Sequence, residues 1–556
     1  MSRLFAALFP SRATPPFNPL TVAALTSVWI ALFANGALWR TLANLPETAT
    51  PRGTFVIAGF GLAVAALTLA PLALAAWRWT IKPVAALFLV SAALGAHFMG
   101  TYGVVLDPTM MVNVLQTDAR ETRDLLSLRL LSTVLLLAAL PIAWLWRVPL
   151  APTRPWRQAA RNAIATIGSL LLVVAIVMAL FADLSSIMRN HKSVRYQINP
   201  LNAFFSLAAL ATHAGARPPG PPRPIGLDAT VLPRAPGDKP PLVMLVVGET
   251  ARADHFALNG YARPTNPELA KLDVLSFRDV TSCGTNTAAS LPCMFSHLGR
   301  KAHDARDHDD ENLLDLLQRA GYAVLWLDNQ AGCKGLCDRV PNAMAYRPAG
   351  GDATLLAGLC DGEECYDEAL LRGLDRRVAE LPAERRAKGT VLVLHQMGSH
   401  GPAYSRRSPP DRKPFQPECT TNVLQQCGHE ALINAYDNSI AYTDHVLAQA
   451  IDWLSRQADR HAPVLLYVSD HGESLGENNL YLHGLPYAVA PREQTHVPMV
   501  LWLGSRQGWQ ADCLQRQRDA ALSHDHLFHT VLGLAGVRAA EYRPALDALA
   551  ACRAAH

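Results

Sequence analysis

Five apolar stretches dominate the chain before residue 215: residues 20–40, 55–77, 84–106, 125–146 and 163–184. Each runs for about 20 residues, the length that crosses a hydrocarbon core as a helix. A large soluble core could bury one such helix. Five in succession with few internal charges point to a bilayer. The basic residues orient them. Arg3 and Arg12 precede the first stretch, and Arg78 and Lys82 separate the second from the third. Arg147, Arg154, Arg157 and Arg161 crowd the loop between the fourth and fifth. These regions fall on one side, which the excess of positive charge makes cytoplasmic. Arg40, Arg52, Arg120 and Arg123 lie opposite, so the bias is incomplete. An odd number of spans exports everything after the fifth. No cleavable signal peptide is evident, and the first span serves as the anchor.

The composition changes near residue 215. Residues 1–185 are expected to form the transmembrane domain and 240–556 a separate exported domain. The intervening 186–239 should hold an interfacial helix around Asn202-Ala203-Phe204-Phe205-Ser206-Leu207 and a semi-rigid linker, Arg217-Pro218-Pro219-Gly220-Pro221-Pro222-Arg223-Pro224. A net charge of +4 gives no electrostatic case for nucleic acid. All 10 cysteines lie at or after Cys283, in close couples. The couples are Cys283 with Cys293, Cys333 with Cys337, Cys360 with Cys365 and Cys419 with Cys427, which leaves Cys513 and Cys552. An even count confined to one domain implies disulfides in an oxidising compartment, the same compartment that the loop charges select.

Within the exported part, apolar runs of buried-strand character end abruptly in chemistry-bearing residues. Leu242-Val243-Met244-Leu245-Val246-Val247-Gly248 leads to Glu249, and Val391-Leu392-Val393-Leu394 to His395. Val464-Leu465-Leu466-Tyr467-Val468 leads to Ser469-Asp470-His471. Such runs, alternating with helical patterns, predict an α/β domain with a largely parallel sheet. Sheets of that kind place ligands at the carboxyl ends of their strands. Glu, Asp and His delivered there are metal ligands by type. Gly472 permits the turn from which adjacent Asp470 and His471 reach one ion.

Cys283-Gly284-Thr285-Asn286-Thr287-Ala288-Ala289-Ser290 supplies candidate nucleophiles, because a metal can lower a hydroxyl pKa. Thr285, Thr287 and Ser290 are all eligible by residue type. His395, His400 and His483 sit on Gly-containing loops near the site strands, as candidate substrate contacts or second-site metal ligands. Asn113, Thr117 and Glu121 share one face at helical spacing between the third and fourth spans. By composition they read as the wet side of an amphipathic helix.

Three stretches together resemble the signatures of lipid A phosphoethanolamine transferases, a family that includes the mobile colistin-resistance enzymes. They are Gly248-Glu249-Thr250-Ala251-Arg252-Ala253-Asp254, Thr281-Ser282-Cys283-Gly284-Thr285-Asn286-Thr287, and Ser469-Asp470-His471-Gly472-Glu473-Ser474-Leu475-Gly476-Glu477. The likeness covers essentially the whole chain. It implies five transmembrane helices followed by a periplasmic domain of the alkaline phosphatase and sulfatase type, in a multi-pass protein of the bacterial inner membrane. It also implies Zn2+ bound by Glu249, Thr287, Asp470 and His471, and it selects Thr287 as the nucleophile. Asn113, Thr117, Glu121, Lys334, His400 and His483 would lie near the substrate.

The reaction so implied moves phosphoethanolamine from phosphatidylethanolamine to a lipid A phosphate, through a covalent intermediate on threonine. Both partners are membrane lipids. The added ammonium lowers surface negative charge and gives resistance to cationic peptides such as polymyxin. The rival readings are a transferase acting on lipopolysaccharide core sugars, a glycerol-phosphate transferase resembling lipoteichoic acid synthase, and an inactive membrane lipid-binding protein. No Cys-x-Pro-x-Arg stretch exists for a sulfatase formylglycine.

Overall fold

The computed structural model describes residues 15–117, 119–216 and 220–554. Arg3, Arg12 and the Arg217-Pro218-Pro219 start of the expected linker lie outside the described residues, as does the side chain of Arg120. The chain forms two compact units. One comprises residues up to Met111 together with Leu126–Ala211, and the other Val112–Leu125 together with Thr212 onward.

Among the described residues, four helices of the first unit are long and apolar enough to cross a membrane: Pro51–Leu74, Ile81–Tyr102, Leu128–Arg147 and Pro155–Ala179. Their outward faces are as apolar as their packed ones. Val56 and Val64 are buried while Phe55 and Leu62 of the same helix are exposed. That all-round apolarity suits lipid and not water. The first expected span is broken instead of straight. Pro19–Phe33 and Gly36–Ala43 meet at a 50° bend. The Asn35 amide donates to the Ile30 and Asn199 carbonyls at 3.0 and 2.9 Å. Asn199 donates to the Ala34 carbonyl at 2.8 Å. These two side chains supply partners that the interrupted helix lacks, which a bilayer requires.

The expected 186–239 connecting segment divides between the two units at Ala211 and Thr212. Ile187 and Val194 are fully buried in a cluster with Leu38, Leu42 and Val64, so residues as far as Ala211 pack with the membrane unit. Ile225 joins the core of the second unit, and Thr230–Val231 pairs antiparallel with Val537–Arg538. Apolar side chains at these places tie parts of the segment to one core or the other.

The second unit is built on an eight-stranded sheet. In chain order its strands are β1 (Pro241–Gly248), β2 (Val274–Thr281), β3 (Ala323–Asp328), β4 (Asn342–Met344), β5 (Thr390–His395), β6 (Ala462–Ser469), β7 (His496–Leu503) and β8 (Leu522–Ser523). Across the sheet the order is β8-β2-β7-β6-β1-β5-β3-β4. Only β7 runs antiparallel to its neighbours. Every residue from Leu242 to Gly248 is buried, which is why the central strand reads as an unbroken apolar run. Val243, Leu245 and Val247 face a core shared with Leu313–Arg319 and Leu527–Ala535. The long helix His429–Ser455 packs against β6.

Five disulfides join Cys283 to Cys293, Cys333 to Cys337, Cys360 to Cys365, Cys419 to Cys427 and Cys513 to Cys552, the couples expected from the sequence. The last closes a loop of 39 residues and the second a loop of 4. Loop-closure entropy assigns them about 4 and about 2 kcal/mol respectively. Replacing Cys513 and Cys552 by Ser is therefore expected to lower the melting temperature more than replacing Cys333 and Cys337. Thermal denaturation of the two double variants checks this, and the reverse order would contradict it.

Candidate metal centre and nucleophile

The register of three strands assembles the centre. Gly248 of β1 lies opposite Ser469 of β6, and Val247 opposite His395 of β5. The Asp470 N–H donates to the Gly248 carbonyl at 2.9 Å. Glu249 and Asp470 thus leave adjacent strands at the same level. Thr250 follows with φ of 61°, unusual for a branched residue. It is held there by three bonds. Its N–H donates to Asp470 Oδ1 at 3.2 Å, its hydroxyl to Glu249 Oε1 at 2.7 Å, and its carbonyl accepts from the Tyr436 hydroxyl at 2.8 Å. Two glycines make room. A Cβ on Gly398 would meet the Glu249 carbonyl oxygen at 2.6 Å, and one on Gly472 the Glu493 carbonyl oxygen at 2.0 Å. Gly472 therefore serves close approach rather than a left-handed turn.

Ligand atoms of Glu249, Asp470 and His471 lie within 4.8 Å of one another. His471 Nε2 is 3.1 Å from Glu249 Oε1 and 3.4 Å from Asp470 Oδ2. His471 Nδ1 donates to the Gly472 carbonyl at 2.9 Å, which turns Nε2 toward the cluster. The Thr287 hydroxyl donates to Glu249 Oε2 at 3.0 Å and stands 3.5 Å from His471 Nε2. Among the described residues, Asp470 Oδ2 has no hydrogen-bond donor. Two carboxylates, an imidazole nitrogen and a hydroxyl, all buried and with one orphaned oxygen, suit a divalent cation of borderline hardness.

The electrostatics agree. Burial and the Glu249 charge push the Asp470 carboxyl up to about 7. Burial also opposes ionisation of Glu249, but the His471 charge holds it well below its usual range. Burial disfavours a charged His471, yet Asp470 and Glu249 carry it up to about 10. The two carboxylates stabilise positive charge where they converge, a proton in the protein alone or a metal ion when one is bound.

Thr287 opens the helix Thr287–Met294, whose N-cap Asn286 accepts from the Ala289 N–H at 2.9 Å. The disulfide from Cys283 to Cys293 ties the approach loop to that helix. The other eligible hydroxyls are occupied. Thr285 donates to the Leu485 carbonyl at 2.6 Å, and Ser290 donates to the Asp470 carbonyl.

Comparison with known proteins follows the same division of the chain. Residues 241–537 match the family described as Sulfatase, and residues 64–214 the family described as Phosphoethanolamine transferase EptA/EptB. The chain is 40% identical to Phosphoethanolamine transferase EptA of Salmonella typhimurium, over 95% of this chain and 96% of that protein. The chain belongs to the phosphoethanolamine transferase family. It is 38% identical to Phosphatidylethanolamine transferase Mcr-1 of Escherichia coli, over 94% of this chain and 96% of the relative. Its structure is similar to that of the integral membrane lipooligosaccharide phosphoethanolamine transferase A from Neisseria meningitidis, with a TM-score of 0.90 and 34% identity over 97% of this chain and 100% of the other. This transferase is an inner-membrane protein with its catalytic domain in the periplasm.

The transferase brings His483 and His400 to the centre. The rings of His471 and His483 are 4.3 Å apart and those of His400 and His483 5.5 Å. Burial drives both His400 and His483 down to about 3, leaving neutral imidazoles with lone pairs to offer. His395, also expected among the substrate contacts, ends the strand next to β1. It is fully buried, with Nδ1 3.0 Å from Asp328 Oδ2, because the parallel register of β5 and β3 sets the two strand ends side by side. Lys334 is half-buried and donates to the Ala331 carbonyl at 3.3 Å.

Asn113, Thr117 and Glu121 belong to the segment Val112–Leu125, grouped with the catalytic unit. The Thr117 hydroxyl donates to the Asn113 carbonyl at 2.9 Å. The segment also carries Asp124, whose buried carboxylate pairs with Arg406 at 2.6 Å and Arg407 at 2.7 Å. Sequence reasoning missed Thr250, Gln330 and this ion pair. Gln330 donates to Glu249 Oε2 at 3.1 Å and follows a strand end, the signal that exposed Glu249 and Asp470.

Proposed function

We propose that the chain transfers phosphoethanolamine from phosphatidylethanolamine to a phosphate of lipid A, through a covalent intermediate on Thr287 and with a zinc ion held by Glu249, Thr287, Asp470 and His471. The observation that carries this reading is the position of the Thr287 hydroxyl. It sits 3.0 Å from Glu249 Oε2 and 3.5 Å from His471 Nε2, at the amino end of a helix. In the first half-reaction Thr287 Oγ forms a bond to the donor phosphorus. The phosphorus–oxygen bond to diacylglycerol breaks, and diacylglycerol leaves as the alcohol with a proton. In the second, a lipid A phosphate oxygen attacks the same phosphorus and the Thr287 hydroxyl is restored.

The chain's own residues support both steps. Glu249 Oε2 receives the Thr287 hydrogen bond and so orients the attacking oxygen. The helix amino end favours phosphoryl negative charge near Thr287. Neutral His400 and His483 offer hydrogen bonds to the phosphoethanolamine group or ligand nitrogens to a second metal ion, with Lys334, Asn113, Thr117 and Glu121 as further substrate contacts. When bound, zinc would supply a Lewis acid that favours the threonine alkoxide and offsets phosphoryl charge. The bent pair of apolar helices counts as one span, which makes five and agrees with an exported catalytic domain.

Lipid A from cells with and without the protein tests the acceptor. Mass spectrometry is expected to show a phosphoethanolamine increment on lipid A only when the protein is present. An increment confined to core sugars would move the acceptor.

A further inference from the structure

His524 makes no hydrogen bond to Glu249, Thr287, Asp470 or His471, yet its imidazole joins the two loops that carry three of them. It follows β8, where Ser523 lies opposite Thr281 of β2 in parallel register, so it arrives beside the start of the Cys283 loop. The side chain is 1% exposed. Nδ1 accepts from the Cys283 N–H at 3.1 Å, and Nε2 donates to the Ser469 carbonyl at 2.9 Å. A backbone N–H can only donate and a carbonyl can only accept. The tautomer is therefore fixed, with its proton on Nε2. Cys283 opens the loop that ends at Thr287, and Ser469 is the last residue before Asp470 and His471. Ser290 adds a second tie between the same segments. Its hydroxyl lies 3.4 Å from His524 Nδ1 and donates to the Asp470 carbonyl.

We propose that His524 is a positioning residue for transfer, a neutral imidazole that sets the separation between the Thr287 loop and the Asp470–His471 loop. The proposal rests on Thr287 as nucleophile. Its force comes from the steepness of catalysis with distance, since a misplacement of about 1 Å costs roughly 100-fold. Each half of the clamp can be replaced separately. An Asn carbonyl at position 524 overlays Nδ1 and restores the acceptor for Cys283. A Gln amide reaches the place of Nε2 and restores the donor to Ser469. Leu fills the volume and restores neither.

The test compares full-length zinc-loaded His524→Leu, His524→Asn and His524→Gln in mixed micelles of phosphatidylethanolamine and lipid A. Turnover is expressed per bound zinc, and melting and disulfide mapping verify the fold. The expected result for Leu is a kcat about 100-fold lower with the donor KM little changed. Asn and Gln each recover roughly tenfold of that loss. Hydrogen exchange at the Cys283 amide, read on the metal-free protein, should accelerate in the Leu and Gln variants but not in Asn. Should Leu fail to fold, Asn and Gln carry the test alone. Wild-type kcat in both, or equal Cys283 exchange in both, overturns the clamp, as does a loss that merely tracks bound zinc. Failure of the nucleophile reading looks different: wild-type protein would then carry no phosphoethanolamine on Thr287.

Discussion

Thr287→Ala is expected to lower transfer by at least about 10,000-fold, the scale on which removal of a covalent nucleophile acts. The substitution removes the attacking oxygen and one metal donor but leaves Glu249, Asp470 and His471, whose ligand atoms converge within 4.8 Å. Folding, export and much of the metal binding should survive. Thr287→Ser keeps the hydroxyl and retains part of the activity. Thr285→Ala is a control of a different kind. The Thr285 hydroxyl donates to the Leu485 carbonyl at 2.6 Å, and the Thr285 carbonyl accepts from the Gly484 N–H at 2.7 Å, next to His483. Its loss loosens the loop without removing chemistry, so the effect should be much smaller. A transfer assay on purified variants orders the three, and a Thr285 effect as large as that of Thr287 would move the nucleophile.

The second large effect concerns the metal. Asp470→Asn should abolish metal-dependent stabilisation and reduce transfer to near background. Asp470 Oδ1 accepts from the Thr250 N–H at 3.2 Å and the His471 N–H at 2.7 Å, and the Asn carbonyl can keep both bonds. What goes is the negative charge and the orphaned Oδ2. In the wild-type protein an ion present at roughly 100 times its Kd stabilises by about 2.7 kcal/mol. In the variant the same zinc concentration should leave the melting temperature unchanged. Without metal the variant should be at least as stable as wild type, because two buried carboxylates then no longer repel. Melting curves with added zinc and with chelator separate these outcomes. A wild-type zinc shift retained in Asp470→Asn would remove Asp470 from the ligand set.

The candidate cluster was legible from the sequence where local pattern carries it. Continuous apolar runs ending in Glu249 and in Ser469-Asp470-His471 mark parallel strands, and the ends where these side chains converge, without any knowledge of pairing. The cysteine couples were legible for the same reason, since four of them close loops of ten residues or fewer. The selection of Thr287 was not, because Thr285, Thr287 and Ser290 differ only in where the chain turns them. What stayed hidden depends on partners far away in sequence. The bend at Asn35 is satisfied by Asn199, 164 residues later. The Asp124 carboxylate finds Arg407 across 283 residues. The Asp328 partner of His395 is likewise supplied by strand register, 67 residues earlier.

The most direct measurement of the central claim is the mass of the protein after incubation with phosphatidylethanolamine and no acceptor, followed by peptide mapping. The expected result is one phosphoethanolamine increment on the peptide containing Thr287, localised to that residue, discharged by lipid A and prevented by prior chelation of the metal. An increment on Thr285 or Ser290, or full transfer by a Thr287→Ala protein that never acquires one, would contradict it.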